Sequence, residues 1–146
     1  MGMTTTMESA APTVARQTRI RAMAVMGAAI AAAAIWIIAV PLLGVHLVVR
    51  FGAAAPQSVG IDFVIGASVI GSLVGWGLLA LLERRTARAR AIWTAVAAVA
   101  VLISVSLPLS VGVSASTKVT LALMHVAVAA VVIPAMRSGS RPHAGA

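Results

Sequence analysis

Five polar residues lie within or beside long apolar stretches of the chain: His46, Arg50, Asp62, Lys118 and His125. Ionisable groups are costly to place in a bilayer, so they mark ion paths, proton relays or ligand sites by default. Asp62 and His125 together would suit a proton or cation. Lys118 and His125 are seven apart and so share a helix face, with His125 about 10 Å deeper at ~1.5 Å rise per residue. Two histidines on different helices can also ligate haem, but such ligands stand at matched depths, and His46 reads as shallower than His125. A metal would need a further carboxylate or imidazole, and Asp62 alone is at hand. Neither metal nor cofactor is therefore expected.

Each of the five also has an ordinary role. Asp62 opens an apolar run, where a carboxylate favours the positive end of a helix dipole. Arg50 and Lys118 stand at run ends and can reach back to the interface. His46 reads as interfacial. His125, about two turns inside, is the hardest to dismiss, although a neutral imidazole bonded to a nearby carbonyl accounts for it. No HExxH, GxSxG or phosphate-loop motif accompanies them, and no two carboxylates share a span, so the chain is not expected to be an enzyme. Glu83 beside Arg84 reads as half of a surface ion pair.

Four apolar runs position these residues: about Ala22 to Val49, Ile61 to Leu82, Ala91 to Val113, and Val119 to Met136. Each is long enough to cross a hydrocarbon core, which takes ~20 helical residues. A chain in lipid must satisfy its own backbone hydrogen bonds, so the runs are predicted to be helices. The expected fold is all-α, a polytopic four-transmembrane-helix bundle in one domain over 22–136, with a bend at Pro41 where the helix loses a donor. Residues 1–21 read as a flexible basic tail and 137–146 as a disordered one. Arginines before the first run, and Ala53-Ala54-Ala55 after it, resemble a secretory signal, but the run is far longer than such a segment needs. Met1 to Thr6 formally fits an N-myristoylation pattern, and Thr5 with Glu8 a capping box that no apolar run follows.

Charge sets the expected orientation. Nine basic residues fall on one side of the spans: Arg16, Arg19 and Arg21, the loop set Arg84, Arg85, Arg88 and Arg90, and Arg137 with Arg141. Only Arg50 and Lys118 fall on the other, which places both termini in the cytoplasm. Trp76 and Trp93 flank the arginine-rich loop, as interfacial tryptophans do. Small residues recur every four positions at Ala24, Ala28 and Ala32, and again at Ala67, Gly71 and Gly75. Such stripes let helix backbones approach closely, and internal packing is favoured over a homodimer face.

Composition closes off other classes. Of 146 residues 61% are hydrophobic and 10% charged, against ~25% charged in an average soluble domain. The formal charge of +8 sits at run ends without interleaved aromatics, so no nucleic-acid partner is expected and the lipid bilayer is. Cysteine, tyrosine and asparagine are absent, which removes disulfides, thiolate metal sites and N-glycosylation. The Ala, Val, Gly and Arg bias matches GC-rich bacterial coding.

Two segments carry a family likeness: Leu82-Glu83-Arg84-Arg85-Thr86 leading to Ala91-Ile92-Trp93-Thr94-Ala95, and the fourth run from Lys118 to Pro134 with His125 in its upper middle. In these, over about residues 20 to 137, the chain resembles a group of uncharacterised actinobacterial four-helix membrane proteins. The resemblance implies a fold and a bacterial plasma-membrane location but no activity. Span number and length also resemble the small multidrug exporters, yet the first span lacks their membrane glutamate. The expected function is that of a non-enzymatic accessory or helix–helix interaction protein, with a membrane-protein partner or a second copy of itself. The alternative is a small transporter or permease subunit using the five polar residues.

Overall fold

The computed structural model describes residues 11–138. Four helices run up and down: α1 (Ala11–Ile37), α2 (Ile61–Arg85), α3 (Ala89–Val111) and α4 (Ala115–Ser138). All four are long and apolar enough to cross a membrane, and the fold is an all-α bundle. Each helix packs on its neighbour in sequence, and α4 returns to α1, which closes the ring with α1 and α3 at opposite corners. The α1–α4 seam is the most extensive and the α2–α3 seam the thinnest.

Small residues explain the tight corner. Ala24, Ala28 and Ala32 on α1 are buried to 4%, 0% and 1% exposure. Without bulk on this face, neighbouring backbones come close enough for dispersion forces to hold them, which matters because lipid supplies no hydrophobic drive between helices. A Cβ added at Gly27 would lie 3.3 Å from Val131 Cγ1 on α4. Two apolar clusters stack along the bundle axis. One joins Ala24, Ala28, Leu79, Trp93, Val132 and Met136, at the arginine end, where the α2–α3 turn lies. The other joins Ala32, Leu47, Val49, Val64, Leu121 and Met124, at the hairpin end. Val128 packs against both.

Proline and glycine end α1. Pro41 has no N–H to give, and the helix slips into a π turn over Ile38–Leu42. Leu43 N–H then donates to Ile38 O at 3.0 Å and Gly44 N–H to Val40 O at 3.1 Å. Gly44 takes φ +66°, a left-handed stop that side chains with a Cβ resist. Beyond it β1 (Val48–Val49) pairs antiparallel with β2 (Gln57–Ser58), Val48 opposite Ser58. The other edge of β1 meets the α3–α4 link: Arg50 N–H donates to Val111 O at 2.9 Å, and Val113 N–H to Val48 O at 3.1 Å.

The first span therefore differs from the expected 22–49. The helix already runs from Ala11, so residues 11–21 are helical rather than a tail, and it stops at Leu42 rather than continuing to Val49. The cause is that Val45, Leu47, Val48 and Val49 are as apolar as the helix before them. An apolar run looks the same to hydropathy whether it is helix or buried cap. The remaining helices, 61–85, 89–111 and 115–138, stand against the expected 61–82, 91–113 and 119–136. α4 continues to Ser138, into the expected 137–146 tail. The Met1–Thr6 pattern, Glu8 and Arg141 lie outside the described residues.

Candidate functional site at the hairpin end

The loop between α1 and α2 and the link between α3 and α4 bring four of the five polar residues to the hairpin end, with His125 deeper in α4. They do not form one constellation. Among the described residues no hydrogen bond or ion pair joins any two of them, and no three His, Asp or Glu come together as a metal site would require.

Each is placed by its own surroundings. His46 and Arg50 are exposed. The His46 carbonyl, not its ring, is the group bonded inward. Asp62 is exposed in the first turn of α2, with its carboxylate folded over Gly60, where an added Cβ would collide with it. That is the dipole-favoured place for an acid. Lys118 is half-buried, its stem lying across Gly112, where an added Cβ would stand 2.7 Å from Lys118 Cγ. His125 is also half-buried, with Nδ1 2.7 Å from the Leu121 carbonyl one turn back on its own helix. A carbonyl can only accept, so this bond fixes a proton on Nδ1.

The residue that organises this end is one that hydropathy and charge do not single out. Thr117 is fully buried at 0% exposure. Its hydroxyl donates to His46 O at 3.0 Å and lies 3.4 Å from the Val48 N–H and 2.9 Å from Ser114 Oγ. Ser114 Oγ also accepts from the Thr117 N–H at 3.1 Å, capping α4. Trp36 adds a second tie, its Nε1–H donating to Val59 O at 3.0 Å. The visible signal was Ser114-x-x-Thr117 ahead of an apolar run, a helix start whose second residue happens to face a loop.

Two depressions flank this cap. An open basin of about 560 Å³ is lined by Leu43, Gly44, His46, Val48, Ser114 and Ser116, among others. An apolar cleft of about 220 Å³ between the π turn and α4 is lined by Ile35, Ile38, Ala39, Leu43, Thr120 and Leu123. Leu43 borders both.

At the arginine end, Arg21 Nη2 donates to Glu83 Oε1 at 2.6 Å, with side-chain exposures of 6% and 30%. The partner of Glu83 is thus a residue 62 positions away rather than adjacent Arg84, and Arg21 is buried rather than a surface charge. Arg21 Nε is left without a partner. Trp93 likewise turns inward: it is 3% exposed, and its Nε1–H donates to Gly75 O at 2.8 Å. Of the α2 stripe, Gly75 faces Trp93, whereas Ala67 and Gly71 open away from the chain, with nothing near a Cβ added at Gly71.

Fold and surface define a multi-pass membrane protein whose interior is apolar between two polar ends. Residues 12–142 match the model of a family of unknown function, DUF6069, and the chain belongs to that family. No curated protein and no solved structure matches it.

Proposed function

We propose that the chain is a non-enzymatic accessory protein of a bacterial plasma membrane, of actinobacterial type, acting by contact between its outward helix faces and another membrane protein or a second copy of itself. One contrast carries this reading. A third of the α1 span is buried within the chain (33%), against 17% for α2 and 11% for α3. Leu102 and Ile103 on α3, and Ile70 and Val74 on α2, are more than 60% exposed. Apolar surface of this kind, next to the open Gly71 backbone, suits close helix contact. The polar residues lend little to transport, because Asp62 is exposed at the start of α2 while His125 is bonded to the Leu121 carbonyl of its own helix.

Both termini face the cytoplasm in this reading. Its support is the eight arginines at one end among the described residues, against Arg50 and Lys118 at the other.

The absence of cysteine makes single-cysteine variants clean probes. A membrane-impermeant maleimide should label Ala54→Cys in intact cells and leave Ala87→Cys unlabelled; the reverse pattern inverts the orientation. In native membranes, bifunctional maleimides should crosslink Gly71→Cys or Leu102→Cys to a protein product of defined mass. If neither position crosslinks while the variants insert normally, the interaction reading fails.

A further inference from the structure

We propose that the basin and cleft at the hairpin end together form a binding site for one membrane phospholipid, with the phosphate in the basin and an acyl chain in the cleft. This goes beyond the accessory role and does not depend on it.

The two compartments differ in chemistry and meet at Leu43. The basin offers the exposed His46 ring and the Ser116 hydroxyl, groups that can donate to phosphate oxygens, Ser116 by turning its proton from Ser114 Oγ 3.0 Å away. Of the two cations at this end, Lys118 lays its stem across Gly112, which adjoins the basin residue Val113, so a positive group stands beside the basin. The cleft has one polar side chain, Thr120, which is buried; its other lining residues are apolar. Its rim includes Ile38 and Leu123, 51% and 54% exposed on two helices that qualify as membrane spans, and Leu43, 71% exposed, just past the end of the first. An opening along a span faces lipid chains, while the basin beside it lies at the hairpin end among the interhelical connections, with His46, Ser114 and Ser116 as its polar side chains. A guest filling both must therefore be polar at one end and apolar at the other, which selects an amphipathic lipid.

The cleft traces to the sequence through Pro41. Pro41 lacks a donor and the helix takes a π turn at Ile38–Leu42, and the cleft lies between that turn and α4. Such bulges recur at functional sites.

Native mass spectrometry of the full chain in mild detergent tests the proposal, with phosphatidylglycerol as probe and diacylglycerol of identical tails as its phosphate-free counterpart. The wild-type chain should retain a single phosphatidylglycerol and bind diacylglycerol at least about tenfold more weakly, the weight of one hydrogen bond to a charged group. Equal retention of the two lipids by the wild type overturns the phosphate assignment without recourse to any variant. The double variant His46→Ala, Ser116→Ala should show the same loss, of about tenfold, for phosphatidylglycerol. Leu123→Trp fills the cleft mouth and should abolish the retained lipid. Val99→Trp, on α3 at a matched 55% exposure, should keep it. Equal retention by the two tryptophan variants, with helicity unchanged, would reduce the bound lipid to the ordinary annulus and end the proposal.

Discussion

The two ends of the bundle are closed by different physics. At the hairpin end, backbone groups from the α1–α2 loop and the α3–α4 link bond one another and one buried hydroxyl. At the arginine end, a connection of a few residues, 86–88, joins α2 to α3, and a charged pair, Arg21 with Glu83, ties α1 to α2. The difference follows from loop length. The 18 residues between Leu42 and Ile61 carry backbone donors and acceptors that must be satisfied where the loop is buried. The short turn has few such groups, and there side chains close the end. A closure of many neutral bonds fails piecemeal, whereas a charged pair fails at once when either partner goes.

The sharpest way to break this contrast is Glu83→Gln. Arg21 is then a buried cation without a counter-charge, and the expected loss is about 3 kcal/mol, at the low end for such pairs because Glu83 keeps some solvent contact. Unfolding of the purified protein in detergent reads it, and a double-mutant cycle with Arg21→Met should recover much of the loss. No loss in Glu83→Gln would mean that the Arg21–Glu83 pair does not hold the arginine end.

Thr117→Val strikes the other end. It preserves shape but deprives His46 O of its donor, and Val48 N–H and Ser114 O–H of their acceptor. About 1–3 kcal/mol is expected. Hydrogen exchange should speed up at the amides of Val48, Val59 and Val113 and stay unchanged around Leu79 and Trp93. Loss of protection at both ends would show that they are one cooperative unit.

Smaller effects refine the picture. Trp36→Phe removes the bond to Val59 O and Trp93→Phe the bond to Gly75 O, each expected to lose about 1 kcal/mol with exchange changes confined to its own end. Asp62→Asn should lose about 0.3–1 kcal/mol, less in high salt, since it removes a charge from an exposed helix start. A much larger effect on Asp62→Asn would reveal a partner for the carboxylate.

Four helices were legible because a 20-residue apolar run has one way to satisfy its backbone in lipid. The basic ends were legible for the same reason, since charge cannot follow the chain into hydrocarbon. Pro41 was visible too, but as a bend. Its outcome as a terminus depended on Gly44 and on strand partners 50 or more residues away, including Gly112. The candidate site was legible only as a set of residue types. Depth and side of the membrane can be counted along a helix, but rotation and neighbours cannot. So the sequence could place Asp62 and His125 at one end without revealing that His125 is turned back to Leu121.

Residue order alone determined that the chain spans a bilayer four times, where each span lies to within about a turn except at both ends of the first, and which ends carry the charge. Those properties are sums over local residues, and transfer between water and lipid reads such sums. Tertiary structure decided that Arg21 meets Glu83, that Thr117 is locked beneath His46, that Trp93 is core rather than anchor, and that a cleft lies between the π turn and α4. These are pairings between residues dozens of positions apart, set by how helices rotate and pack, and no local sum contains them.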